Sequence, residues 1–283
     1  MRKPLIAIFL ILVSSWVKAT EFEDRFAVVL VDANTEKRYG SIPLRRAYLA
    51  QAVQRIAKSG AKGVVLKFFL DRPKDKEEDQ QLATAFSKIP VLLEARIDDS
   101  EPNPNPLPKQ FSLPIKGSTA IAGTSGWIPL PIFAEKASGI GFVDFAGTGI
   151  PIIEQYQNAT VKSLVLASIE LAEGSQARIS PGTEIVVGKG HIKVDSKNQA
   201  PVRIPKDAKI NYVAFHDLLE GAKPNVALKG KVVILAYDGP HIHTLETPVG
   251  SMGAHRYFIS TLKTIYDDAF ANTQSHTDAG RRR

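Results

Sequence analysis

Four long apolar runs divide the chain into predicted strands. Each run consists mainly of valine, leucine, isoleucine, alanine and phenylalanine, and glycine, proline or charged residues lie at its ends. Mainly apolar runs of this kind are typical of strands buried on both faces of a sheet. The predicted strands cover residues 26–32, 63–70, 90–95 and 231–236.

Helical periodicity fills the intervals between these runs. Apolar residues recur three or four positions apart in residues 47–57, and Gly60 follows as a helix terminator. The order strand–helix–strand–helix–strand predicts parallel strands joined by right-handed crossovers. Similar spacing predicts further helices at 77–88, 161–173, 215–219 and 254–270.

The remaining segments show turn signals. Residues 34–43 are rich in turn formers, and residues 98–117 contain five prolines and no period, which predicts a loop. Residues 184–194 enclose Gly188 and Gly190 and predict an antiparallel hairpin. We therefore expect an α/β fold with a mixed, mainly parallel sheet flanked by helices and a hairpin insertion. One domain should cover residues 20–271, and residues 272–283 should form a flexible basic tail.

The first 19 residues have the three parts of a secretory signal. Arg2 and Lys3 precede an apolar run at 5–17, and Ala19 supplies the small residue before a polar stretch. The alternative is an uncleaved anchor in the inner membrane. Thirteen helical residues reach about 20 Å, short of the ~30 Å of a hydrocarbon core. The pattern predicts cleavage, export to the periplasm and no membrane span after cleavage.

Charge and cysteine content exclude several classes of function. Removal of residues 1–19 takes away three basic residues and no acidic one, so the net charge falls from +7 to +4, and Arg281, Arg282 and Arg283 supply three of these charges. The body is nearly neutral, which argues against a nucleic-acid partner. The absence of cysteine excludes disulfides, thiol catalysis and Cys-ligated metals. A mature chain without disulfides depends on its apolar core.

The ordered set of motifs resembles a known family, the second type of CHASE domain. These are extracellular sensory modules of bacterial receptor kinases and nucleotide cyclases. The resemblance implies a related fold and a sensing or ligand-binding role, without a signalling output of its own. The motifs are 28–32 with 39–45, 60–62 with Asp79 and 82–83, 141–143 with 163–164, and 228–235 with 247–248, Gly253 and His255.

Three departures from the family pattern concern its polar centre. Lys67 stands where the family usually has an acid, and His243 stands where an aspartate usually precedes Thr-Pro. An Asp-x-Asp-Gly turn followed by an arginine is replaced by a segment from Asp144 to Gly149 and then Glu154. Buried acids are costly without partners. Their joint loss indicates that the polar centre has been rebuilt or abandoned.

The sharpest local cluster of candidate side chains follows the last predicted strand. Asp238, His241, His243 and Glu246 lie on one short segment, and ligands of open α/β sheets bind beyond the carboxyl ends of the strands. One interpretation is a metal-binding protein or hydrolase that uses the two histidines with an acid or His255. The other is a polar loop with solvated histidines, which we favour; we predict no metal and no cofactor.

Asp32 and Arg45 form a second candidate site. Asp32 ends the first predicted strand, and Arg45 begins the helix that follows. Such a pair could orient a polar ligand or simply fix the loop as an ion pair. Because parallel strands share a direction, Asp32 and Asp238 should open on one edge of the sheet. We expect a ligand-binding pocket there, formed by Asp32, Arg45 and residues 238–246.

The sequence shows no sign of catalysis. It has no Gly-x-Ser-x-Gly elbow, and Gly188-Lys-Gly190 is too short for a phosphate loop. We interpret the protein as a non-catalytic periplasmic sensory domain. Its expected partner is a small-molecule ligand or an envelope receptor protein.

The signal interpretation predicts the first residue of the mature protein. Ala19 is the small residue correctly placed after the apolar run, so cleavage should leave Thr20 at the N-terminus. Sequencing the N-terminus of protein from the envelope fraction measures this. Recovery of Met1 in a membrane pellet would instead establish the anchored form.

Overall fold

The structure is a computed structural model that describes residues 21–147, 149–201, 203–204, 209–247 and 249–271. The predicted signal at 1–19, its cleavage point before Thr20 and the predicted tail at 272–283 lie outside these residues. Within the described ranges, no helix is long and apolar enough to cross a membrane.

Helices and strands alternate through most of the described chain. The α-helices are α1 (Glu21–Arg25), α2 (Ala33–Tyr39), α3 (Arg46–Lys58), α4 (Lys76–Ala85), α5 (Pro131–Ala134), α6 (Leu164–Glu173), α7 (Phe215–Glu220) and α8 (Ala254–Phe270). The strands are β1 (Phe26–Val31), β2 (Gly63–Leu66), β3 (Val91–Ile97), β4 (Ser112–Leu113), β5 (Ala122–Gly123), β6 (Gly126–Trp127), β7 (Gly139–Phe142), β8 (Gly149–Pro151), β9 (Ile153–Tyr156), β10 (Ala159–Lys162), β11 (Arg178–Ser180), β12 (Glu184–Val187), β13 (Gly190–Lys193), β14 (Gln199–Pro201), β15 (Val213–Ala214), β16 (Val232–Tyr237), β17 (Thr244–Thr247) and β18 (Gly250–Gly253).

Seven strands form the main sheet. Their order is β15-β1-β16-β2-β3-β6, and β7 also pairs with β3. All the pairings are parallel except that of β3 with β6. The predicted mixed, mainly parallel α/β sheet is therefore confirmed. Because β16 lies between β1 and β2, a strand from late in the chain occupies the middle of the sheet.

Helices cover both faces of the main sheet. Leu49, Val53 and Leu82 of α3 and α4 pack on one face, together with α5 and α7. On the other face, α6 and α8 contribute Ile169 and Leu262 to a second apolar cluster. Strands β1, β2, β3 and β16 divide their side chains between the two clusters, and this burial of both faces explains why they read as apolar runs.

Smaller sheets, antiparallel except for the pairing of β5 with β9, are attached to this frame. The predicted hairpin at 184–194 is confirmed as β12 and β13, with Ile185 opposite Ile192, and β11 joins it as a third strand. A four-stranded sheet with the order β4-β10-β9-β5 lies beyond β7. Below, this four-stranded unit is called the second sheet.

Two local predictions were wrong. Residues 34–43 contain helix α2, because Asp32 accepts a hydrogen bond from Thr35 N at 2.8 Å and caps the helix N-terminus. The strand predicted at 63–70 ends at Leu66, and its continuation leaves the sheet. In the second case the apolar run continues because Leu70 enters the core from a loop.

The central position of β16 predicts how charge substitutions act. Val232→Asp or Ile234→Asp should unfold the domain, because both side chains are 0 % exposed and an unpaired carboxylate has no donor there. Thermal and urea unfolding measure the effect. Val226→Asp is the matched control, since Val226 is 86 % exposed and should tolerate the change. Similar melting of the Val232 and Val226 variants would contradict a buried β16.

Candidate functional site

Three neighbouring strands end in ionisable residues on the same edge of the main sheet. Val31 pairs with Tyr237, and Asp238 N donates to Val31 O at 2.8 Å, so Asp32 and Asp238 follow adjacent strand ends. On the other side of β16, Lys67 N donates to Leu235 O at 2.9 Å. We call this side of the sheet the carboxyl edge. The expected placement of Asp32 beside Asp238 is therefore present.

Asp32 is occupied by local contacts. One of its carboxylate oxygens accepts from the backbone N and the hydroxyl of Thr35, at 2.8 and 2.9 Å. The Thr35 hydroxyl also lies 2.9 Å from Nδ1 of His216, which α7 places over this corner. His216 and Thr35 are buried, and sequence reasoning did not identify either of them. The carboxylate of Asp32 thus fixes the start of α2 and its contact with α7.

The expected ion pair between Asp32 and Arg45 is not formed. Arg45 pairs instead with Glu78 at the start of α4, and its guanidinium lies over the ring of Tyr48. The next residue, Arg46, is buried and lies 3.3 Å from Asp79. Helices α3 and α4 pack side by side, so the acidic first turn of α4 provides the partners for both arginines.

Asp238 is held by the first turn of α8. Arg256 donates to Asp238 Oδ2 at 2.7 Å through Nε, and this hydrogen bond with the carboxylate charge raises the pKa of Arg256. The carboxylate has a side-chain exposure of 14 %, so one of its faces remains near solvent. The contact ties the end of β16 to the helix that covers it.

His241, His243 and Glu246 are exposed on the segment that follows Asp238. His241 N donates to the Tyr237 hydroxyl at 2.9 Å, and this hydroxyl donates to Glu36 at 3.1 Å. Glu246 belongs to β17, so the predicted polar loop becomes a hairpin of β17 and β18. Within the described ranges, no three histidine or acidic side chains come together as a metal site.

A buried ion pair lies behind this exposed segment. Lys67 donates to Glu94 Oε2, and both side chains are almost fully buried. The ammonium also lies 5.4 Å from the ring centre of Phe258 and 6.0 Å from that of Phe69. Burial raises the pKa of Glu94, and attraction to Lys67 opposes this rise. Glu94 interrupts the apolar run of β3, and this interruption was the signal in the sequence that could have revealed it.

His255 lies next to this pair and is neutral. Its Nδ1 accepts from Tyr237 N at 2.9 Å, and its ring meets Phe68 edge-on at 6.2 Å. Burial and the nearby charge of Lys67 lower the pKa of His255 well below its ordinary value. Because Nδ1 is an acceptor, the single ring proton lies on Nε2. The ring therefore offers one hydrogen-bond donor at the carboxyl edge.

Aromatic side chains continue the carboxyl edge toward β3 and β7. Phe69 meets Trp127 edge-on at 4.9 Å, and Arg96 lies 5.2 Å from the centre of the Trp127 ring. Phe145 meets Tyr257 in the same way at 5.1 Å. Aromatic faces combined with a few fixed polar groups are typical of small-molecule sites. The arrangement can bind and orient a polar molecule.

A groove of 740 Å³ lies at the opposite edge of the main sheet. Leu92 and Ile140 form part of its floor, and Lys162 and Glu170 pair along its wall at 2.6 Å. These charges satisfy each other, and Lys62 donates to the carbonyl of Ala172 at 2.6 Å. The groove is therefore a concave surface whose charged groups already have partners.

The chain thus forms a three-layer α/β domain with charged residues at the carboxyl edge of a mainly parallel sheet. The model of the CHASE2 domain family matches residues 8–278, nearly the whole chain. The chain belongs to this family of extracellular sensory domains. No curated protein and no solved structure matches it.

Removing one member of the buried ion pair should be more harmful than removing both. Lys67→Met leaves the Glu94 carboxylate without its partner, and we expect a loss of about 3–5 kcal/mol in the free energy of unfolding. The double variant Lys67→Met/Glu94→Gln should recover most of this loss. Urea unfolding at neutral pH measures both variants. Lys58→Met, at an exposed position of α3, is the control. Equal losses in the single and double variants would contradict a coupled pair.

Proposed function

We propose that this chain is a periplasmic sensory domain that binds a small polar solute at the carboxyl edge of its main sheet. The observation that carries the proposal is the clustering there of Asp32, Lys67, Asp238 and His255, with an exposed segment at 239–246 beside them. Membership of an extracellular sensory family supports the sensory role. The signal features at 1–19 support export.

The chemistry of this edge suits a ligand with both donors and acceptors. His241 and His243 present imidazole groups, and Glu246 presents a carboxylate, all exposed to solvent. Behind them the Nε2–H of His255 is a donor without a hydrogen-bond partner among the described residues. Asp238 keeps one face near solvent beside Arg256. Arg45 stands apart in this proposal, because Glu78 holds its guanidinium.

The proposed role is recognition without catalysis. The family to which the chain belongs is sensory and non-catalytic. A hydrolase or metal protein built on His241 and His243 would draw on Asp238, Glu246 or His255 as a third group, and no three such side chains come together within the described residues. Arg256 holds Asp238, and His255 directs Nδ1 to the backbone of Tyr237. Because these hydrogen bonds already occupy Asp238 and the Nδ1 atom of His255, they favour ligand binding over metal-assisted chemistry.

Native mass spectrometry of protein purified from the periplasm tests the solute proposal. We expect a mass excess that corresponds to a bound small molecule. The double variant His241→Ala/His243→Ala should lose at least half of this bound fraction, because it removes two exposed groups from the edge. His191→Ala is the matched control, since His191 is an exposed histidine on the distant strand β13.

The results separate the alternatives. Retention of the bound molecule by the double variant would overturn the proposed site and direct attention to the groove beside α6. A periplasmic protein without a bound molecule, combined with crosslinking of residues 239–246 to an envelope protein, would favour an envelope receptor as the partner.

A further inference from the structure

Two buried carboxyl groups lie where the second sheet joins the main sheet, close enough to act on each other electrostatically. Glu154 lies on β9 and is 0 % exposed, and Asp144 follows the end of β7 with a side-chain exposure of 9 %. A bridge between Phe142 and Ser163 connects the two sheets at the same place. We call Asp144 and Glu154 the carboxyl pair. Arg96 links this pair to the carboxyl edge, because it lies 3.9 Å from Asp144 and over the ring of Trp127.

The surroundings of the carboxyl pair support only one negative charge. Asp144 accepts from Ile97 N at 2.9 Å, and Arg96 lies 3.9 Å from its other oxygen. By contrast, neither oxygen of Glu154 receives a hydrogen bond from the described residues. A protonated Glu154 can donate to Asp144, which gives the Glu154 carboxyl one partner and leaves a single negative charge on the pair. Burial, followed by the charge of Asp144, raises the pKa of Glu154 well above its ordinary value.

Among the residues that the structure describes, no neighbouring cation compensates the charge of Glu154. On the adjacent strand β10, Lys162 is engaged by Glu170 and by Gln176. The other neighbour of β9, strand β5, carries no titratable residue. Within β9, the hydroxyl of Tyr156 is buried and has no hydrogen-bond partner.

The remaining charged groups lie on the Asp144 side of the pair. Asp98 repels the Asp144 carboxylate, and the partly exposed Arg96 attracts it. Asp99 acts on Tyr156 and is held by Thr124 and Ser125. These groups act on the charge of Asp144 and do not compensate a charge on Glu154. Glu154 therefore avoids a buried negative charge only by keeping its proton.

We propose that the junction between the main sheet and the second sheet is a proton-dependent joint, closed when Asp144 and Glu154 share one proton and loosened when they do not. Loss of the proton leaves two carboxylates side by side in an apolar setting, which is unfavourable for both burial and charge repulsion. Strands β9 and β10 carry one side of the contact. They should therefore open more often in the deprotonated state.

The sign of the pH dependence follows from the raised pKa of Glu154. A folded-state pKa above the unfolded value adds stability at low pH, and this stability is lost as the pH rises through the folded pKa. His255 has the opposite effect, because its lowered pKa removes stability as the pH falls below about 6.5. The two groups thus act on opposite sides of the pH profile. Because burial also raises the pKa of Glu94, its contribution to stability is likewise lost as the pH rises. The measurement must therefore report on the second sheet alone.

Amide hydrogen exchange at several pH values tests the joint. In the wild-type protein, opening of β9 and β10 relative to β1 and β16 should increase by up to tenfold per pH unit between the ordinary carboxyl pKa of 4.5 and the raised pKa of Glu154, and should level off above it. Glu154→Gln keeps the shape and cannot ionise, so the same ratio should become independent of pH. Glu135→Gln, at an exposed position next to α5, is the control and should behave like the wild type.

A wild-type ratio that does not change with pH, or an unchanged pH dependence in Glu154→Gln, would overturn the joint. If Glu154→Gln does not fold, the side-chain ¹³C resonance of Glu154 in the wild-type protein decides. A midpoint near the ordinary value of 4.5 would overturn the proposal, and a clearly higher midpoint that falls in Asp144→Asn would support it. None of these measurements involves a ligand, so they are independent of the proposed function.

Discussion

The parallel pairing of β16 with both β1 and β2 is the interaction on which the rest of the structure depends. It joins the first strands of the domain to a strand from the last fifth of the sequence, and all six residues of β16 are buried. This pairing places Asp238 next to Asp32 and brings the main-chain N–H of Lys67 to Leu235. It also fixes where α8 begins, and with it His255 and Arg256. Without β16 in the centre, Asp32, Lys67 and Asp238 would not lie next to one another at one edge of the sheet.

Two of the residues that depart from the resembled pattern have close partners in the structure. Lys67, which departs from the family pattern, finds its counter-charge in Glu94, and His255 is held neutral next to it. At the other departure, Glu154 meets Asp144 where the family pattern has an arginine, so a proton takes the place of a cation. Buried charges seldom add stability compared with apolar residues. Their retention at strand ends is consistent with a site that recognises a polar ligand.

The apolar runs predicted the four strands β1, β2, β3 and β16 because burial on both faces gives a run of apolar residues, and helical periodicity predicted the helices that cover them. The helix in residues 33–39 was missed because its start depends on a side-chain cap: the Asp32 carboxylate accepts a hydrogen bond from the backbone N of Thr35. The predicted ion-pair partner of Arg45, Asp32, was also wrong. Residues 45 and 78 are 33 positions apart, and the packing of α3 on α4 alone brings them together. Glu94 was visible as a charge inside an apolar run, but its partner was not.

The sequence by itself determined the fold class, the family, the buried strands and the hairpin at 184–194, because each depends on local pattern or on an ordered set of motifs. Tertiary structure alone decided which charges meet. It paired Arg45 with Glu78, Lys67 with Glu94 and Asp238 with Arg256. It also placed two acids, Asp144 and Glu154, against each other. The physical reason is that electrostatic partners are chosen by distance in space and by shared burial, and neither quantity is encoded in the spacing of residues along the chain.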